Sequence, residues 1–199
     1  MSGTRSARVN GEPAGGTYGR RMSHVDQDAV DAFWNDAKIR AGLNPASSYT
    51  GPNPADTVPP PAWSFGADPQ HADALLDLVL AGKKTATASA LWDYEAEGEQ
   101  LPTSGELSII VDGQGEPKAL IRTVTVRVVP FDEVDEEHAR AEGEGDGSLA
   151  SWRDVHRRFF TEHRSHAQDF HEHMPVVLER FEVLVPTTLR PGSPRIFGR

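Results

Sequence analysis

Cysteine is absent from the 199 residues. Its absence removes a disulfide framework, a thiol nucleophile and any Cys-ligated zinc. It also fits the reducing cytoplasm, which is the expected location. Long apolar runs are missing too: nowhere do about 18 consecutive apolar residues occur, so no membrane span is expected. Met1–Arg21 is rich in Gly, Ser and Arg and holds no apolar stretch that could form the core of a signal peptide. Basic charge is in deficit, with 20 Lys and Arg against 30 Asp and Glu and a formal net charge of -10. Proteins that hold long nucleic acids usually spread basic charge along one face, because neutralising phosphates supplies most of the affinity. Here a polyanion would need a local basic patch set against a repelling background. A small, weakly charged ligand such as a nucleoside meets no such obstacle.

The length suits one domain with tails. Residues 1–22 read as a disordered basic tail, with Met22 an alternative start. Residues 23–185 read as a single domain, and 186–199 as a flexible tail. Asp26 to Ala41 holds a first helix with Val30, Phe33, Trp34, Ala37 and Ile39 on its apolar face. Asn44 to Pro61 contains six prolines, which lack the amide donor and fix φ, so an irregular strap is expected, pinned by Trp63 and Phe65. Asp68 can cap a second helix that Pro69 opens and Gly82 ends, with Ala72, Leu75, Leu76, Val79 and Leu80 at helical spacing. Thr85 to Ala90 alternates as a strand does. Leu107–Val111 and Ala119–Val129 form a hairpin across Asp112-Gly113-Gln114-Gly115. Asp132 to Glu142 reads as a short acidic helix, Ser148 caps another running to about His163, and Val176–Val185 is the last strand. Strands interrupted by helices, with one tight hairpin, imply an α+β domain closed as a compact barrel with flanking helices.

Gly82-Lys83-Lys84-Thr85-Ala86-Thr87 joins a helix to a strand and matches the pattern G-x-K-x-x-[T/S]. Around it run Phe65-Gly66-Ala67-Asp68 and Leu80 to Trp92. Further on come Pro130-Phe131-Asp132-Glu133-Val134, Glu142-Gly143-Glu144-Gly145-Asp146, Ser148-Leu149-Ala150-Ser151-Trp152 and Met174-Pro175-Val176-Val177. Several separate segments in this order resemble the longer bacterial branch of the ASCH domain family, over about Trp63 to Val185. The resemblance implies a small mixed β-barrel of the PUA-like kind with flanking helices. It also implies an RNA or nucleoside partner, since members of the family have been linked to RNA binding, ribonuclease activity and removal of acyl groups from modified cytidine. In the deacylating branch a lysine and a threonine of the signature work with a downstream glutamate. Carried over by motif, these are Lys84, Thr87 and Glu142.

Acyl hydrolysis needs a nucleophile, a base and a stabilised oxyanion. Thr87 is the candidate nucleophile and Lys84 its base or electrostatic anchor. A neutral lysine requires burial or a neighbouring cation, which Lys83 or Arg122 could supply. Glu142 would be the acid, if an apolar site raises its pKa. In an ideal strand, residues three apart face opposite sides, so Lys84 joins Thr87 only if the chain turns between them. Otherwise Lys83, which would share a face with Thr85, Thr87 and Ser89, is the better geometric partner. Trp92 and Tyr94 could stack on a base, or belong to the core.

His163, His166, His171 and His173 invite a metal reading, but they fall in a loop-like run and outside the signature. A histidine-rich surface loop is expected there, with no metal and no cofactor. Two other functions use the same pocket. A ribonuclease on single-stranded RNA would need a basic groove, which Arg122, Arg127, Arg153, Arg157 and Arg158 could build. A non-catalytic RNA-binding module would keep the groove without needing the Thr87 hydroxyl.

Overall fold

The computed structural model describes residues 25–43 and 58–186. The basic tail expected over 1–22, most of the proline-rich strap and nearly all of the C-terminal tail lie outside the described residues. In chain order the elements are α1 (Gln27–Arg40), β1 (Ala62–Trp63), α2 (Pro69–Leu80), β2 (Ala86–Ala90), α3 (Leu91–Glu97), β3 (Leu107–Val111), β4 (Pro117–Pro130), a 3-10 turn (Phe131–Glu133), α4 (Glu136–Glu142), α5 (Leu149–Glu162) and β5 (Pro175–Val185). The expected caps form. Asp26, Asp68 and Ser148 accept hydrogen bonds from the amides of Asp28, His71 and Ser151, so each satisfies an orphan donor of the first turn.

The strands make one mixed sheet in the order β1-β3-β4-β5-β2. β3, β4, β5 and β2 pair antiparallel with their neighbours, while β1 runs parallel to β3 through Ala62 and Trp63 only. The α+β class with helices around a PUA-like sheet is as expected. The sheet itself is open: among the described residues no ladder joins its outer strands β1 and β2. Two residues of β1 offer too little edge to close a barrel, and helices cover the sheet instead.

Side chains alternate across this sheet as strand geometry requires. Ile110, Ala119, Ile121 and Phe181 face α2, packing on Leu75, Leu76 and Val79 together with Trp63 and Phe65. Ile109, Val111, Leu120 and Val185 face α1, packing on Val30, Trp34 and Ala37. A third cluster joins β2 and β5 to α4 and α5 through Ala88, Leu178, Ala139, Trp152, Phe160 and Phe131. Ile39, expected on the apolar face of α1, is 71% exposed. It sits one residue from the end of α1 and turns away from the stripe that Val30, Trp34 and Ala37 bury. Two elements lack a strong sequence signal: β1 is only two residues long, and α3 starts directly on the last residue of β2 with no side-chain cap. Among the described residues no helix is long and apolar enough to cross a membrane.

Candidate functional site

The Gly82–Thr87 segment bends before it becomes a strand. Gly82 takes φ +69, and the amides of Lys83 and Lys84 both donate to the carbonyl of Leu78, at 2.9 and 3.0 Å. This closes the last turn of α2 and turns the chain sharply. Regular pairing starts only at Ala86. Lys84 therefore precedes the strand, and the alternation that would set it opposite Thr87 does not apply. Lys84 and Thr87 both line one cleft, while Lys83 points to solvent.

The cleft opens between the loop after β1, the start of β2 and the middle of α5. Phe65, Gly66, His71, Leu75, Val155, His156 and Phe159 line it with Lys84, Thr87, Glu142 and Glu144. Its empty space is about 390 Å³, part of which is solvent at the mouth.

At its floor lies a charged network. Lys84 Nζ donates to Glu142 Oε2 at 3.0 Å and to Glu144 Oε1 at 2.7 Å, and stands 5.4 Å over the Phe65 ring. The side chains of Lys84 and Glu142 are each 1% exposed, that of Glu144 19%. Glu142 Oε1 accepts from Trp152 Nε1 at 2.7 Å and sits 3.1 Å from His138 Nε2 and 3.6 Å from His156 Nε2. His138 lies one helical turn before Glu142 on α4. Trp152 and His156 lie one turn apart on α5, with their rings stacked at 4.1 Å. Two backbone contacts bring these parts together. Thr85 N and Oγ1 both donate to the carbonyl of Ala141, and Gly143 lies directly on the carbonyl of Lys83.

Electrostatics fix the ionisation of the network. Burial would lower the pKa of Lys84, but Glu142 and then Glu144 outweigh it, so the ammonium is held above its ordinary value. Burial would raise Glu142, but Lys84 and then His156 hold its carboxyl well below the usual range. Burial disfavours charged His156, yet Glu142 more than compensates and raises it. The environment expected for a neutral Lys84 and a protonated Glu142 is thus not present. Neither cation invoked to depress Lys84 lines the cleft: Lys83 is exposed, and Arg122 pairs with Glu182.

Of the residues singled out from the sequence, Lys84, Thr87 and Glu142 meet in the cleft. The others lie elsewhere. Thr85 fastens the segment to α4. The Ser89 hydroxyl hydrogen-bonds the Tyr94 hydroxyl at 3.1 Å, both side chains in the core. Trp92 is half-buried at the far end of β2, edge-on to His166 and His171. Among the described residues no group of three His, Asp or Glu could hold a metal ion. His166 departs from the expected surface loop, because its ring is buried against Trp92 and Asp93. Sequence reasoning missed Glu144, His138, Trp152 and His156. The one-turn spacings His138–Glu142 and Trp152–His156, and the glycines that flank Glu144, were the available signals.

The ASCH domain family model matches residues 61–185. The fold is similar to the crystal structure of an ASCH domain from Lactobacillus crispatus JV V101, at 30% identity and a TM-score of 0.68, covering 82% of this chain and 98% of that one. It is also similar to the crystal structure of a protein from Enterococcus faecalis V583, at 35% identity and a TM-score of 0.67, covering 79% of this chain and 89% of that one. No curated protein matches the chain. The matched segment contains the whole sheet, the Lys84 turn and the Glu142 network, and this chain belongs to the ASCH domain family.

Proposed function

We propose that the cleft binds a modified nucleoside and removes an acyl group from it, an amidohydrolase reaction of the acylcytidine type in a cytoplasmic protein. The observation that carries this reading is a buried ammonium, Lys84, that lines the same cleft as Thr87 and is held between two carboxylates. In this reading the Thr87 oxygen attacks the acyl carbonyl. Lys84 faces the oxygen where negative charge develops, and a fixed charge in a water-poor site is most effective there. Glu142 holds Lys84 in position. The two carboxylates beside Lys84 favour a neutral ligand over a phosphate.

Family membership favours a second reading, in which the cleft takes an RNA base without cleaving it. Ribonuclease chemistry has less support. Of the arginines that could have built a groove, Arg122, Arg127 and Arg157 pair with Glu182, Asp135 and Glu172, and Arg153 and Arg158 bond backbone carbonyls.

The test incubates the wild type, Lys84→Ala and Thr87→Val with acylated cytidine and, separately, with single-stranded RNA, followed by chromatography. Free cytidine from the wild type alone supports the amidohydrolase. Shortened RNA moves the assignment to ribonuclease. Silence on both substrates, with retained RNA binding, leaves the binding module.

A further inference from the structure

The two carboxylates on Lys84 are not equivalent. Glu142 has both oxygens engaged, by Lys84, Trp152 and His138, with His156 close by, and its side chain is sealed from solvent. It cannot leave Lys84 without stranding the buried N–H groups of Trp152 and His138. Glu144 differs on every count. Among the described residues its carboxylate hydrogen-bonds to Lys84 only, its side chain reaches solvent at the cleft, and it stands between Gly143 and Gly145, both at positive φ. When Glu144 leaves Lys84, Glu142 still neutralises the ammonium.

We infer that Glu144 is the proton carrier of the reaction proposed above, displaced from Lys84 by the carbonyl oxygen of the substrate. This rests on the amidohydrolase reading and assigns the acid–base work to a residue other than Glu142. With the substrate oxygen on Lys84, the freed carboxylate stays in the cleft that Thr87 lines. Glu144 takes the Thr87 proton as the oxygen–carbon bond forms, and the carbonyl electron pair moves onto the oxygen facing Lys84. The tetrahedral species collapses, the carbon–nitrogen bond breaks, and Glu144 returns the proton to the departing amine. Water then attacks the Thr87 ester and yields its proton to Glu144. The carboxylic acid leaves as the bond to Thr87 breaks, and the proton returns to the Thr87 oxygen. Atoms and charges balance without a metal or cofactor. Each proton transfer runs through the same carboxylate, which must come within hydrogen-bond reach of the Thr87 hydroxyl once it is freed from Lys84.

The experiment measures steady-state hydrolysis of acylated cytidine by the wild type, Glu144→Gln, Glu144→Ala and Glu142→Gln, with and without added sodium formate, alongside thermal melts. Glu144→Gln and Glu144→Ala should melt close to the wild type. Their kcat should fall by about 100-fold or more with little change in KM. Formate, a small carboxylate able to enter the open cleft, should restore part of the Glu144→Ala activity and none of the activity of Glu142→Gln, whose position is sealed. An active wild type with unchanged kcat in Glu144→Gln overturns the inference and leaves the amidohydrolase reading standing. Lost activity without formate rescue overturns it in favour of a positional role. A wild type inactive on acylated cytidine overturns the underlying reading, and the inference with it.

Discussion

Gly143 and Lys83 touch through their backbones: a Cβ placed on Gly143 would stand 2.5 Å from the carbonyl oxygen of Lys83. This contact sets the C-terminal end of α4, which carries Glu142, against the turn that carries Lys84. A Gly143→Ala substitution therefore meets two penalties, a positive φ of +69 and a backbone clash. Gly82 takes the same φ, but its missing Cβ would meet nothing within 4 Å. Gly82→Ala should cost about 1 kcal/mol from conformation alone. Gly143→Ala should cost a further ~1–3 kcal/mol as the two segments are pushed apart. Urea melts of both variants check the difference, and equal costs would show that the contact is soft.

The buried pair Lys84–Glu142 should behave as a unit. Lys84→Met strands two carboxylates beside Phe65 and should cost about 3–5 kcal/mol. Glu142→Gln should be milder, since Glu144 still faces Lys84. In the double variant Lys84→Met/Glu142→Gln the loss should fall short of the sum, because only Glu144 is then left without its cation. A double-mutant cycle by denaturant unfolding reads the coupling directly, and simple additivity would mean that the two side chains do not share an energy.

His156 predicts a decline of stability on the alkaline side. Its pKa is raised in the fold, by Glu142 against the effect of burial. A group of this kind contributes in full below its unfolded value near 6.5, and the contribution is lost as pH rises through the folded value. The wild type should lose stability above about pH 6.5, and His156→Gln should lose this slope. Denaturant midpoints measured from pH 6 to 9 decide it. Parallel curves for the two proteins would remove His156 as the cause.

Asp93 predicts the opposite kind of group, a carboxyl that the fold keeps at a cost. It is buried at the start of α3, accepts a hydrogen bond from the amide of Ser165, and is pushed up to about 6, chiefly by burial. The native state then binds more protons than the unfolded chain between its ordinary value and about pH 6, so stability falls as pH rises through that window. Asp93→Asn keeps an acceptor for Ser165 and removes the charge. At pH 7 it should be more stable than the wild type by on the order of 2 kcal/mol, and the gap should close near pH 4. A gap that does not change with pH would trace the effect to packing instead.

Much of the frame was legible because it depends on local signals. Asp68-Pro69 and Gly82 bracket α2 by capping chemistry, and Asp112-Gly113-Gln114-Gly115 marks the hairpin between β3 and β4. The ordered segments around Gly82–Thr87 pointed to the family. The open sheet was not legible, since β1 is a two-residue strand with no periodicity to read. Nor was α3, whose Trp92 and Tyr94 read equally as stacking platforms or as core residues. The structure makes Tyr94 a core residue bonded to Ser89 and sets Trp92 against His166 and His171.

For the site, the sequence by itself determined that a lysine and a threonine stand near a glycine turn, and that a glutamate waits in a distant Gly-flanked segment. Tertiary structure alone decided their ionisation. Lys84 and Glu142 are 58 residues apart, and nothing local reports that burial brings them to 3.0 Å with Glu144 alongside. A side chain's pKa depends on solvent exclusion and on charges brought close by folding. Chain-local chemistry suggested a neutral lysine beside Lys83 or Arg122, whereas the folded cleft surrounds Lys84 with carboxylates and keeps it charged.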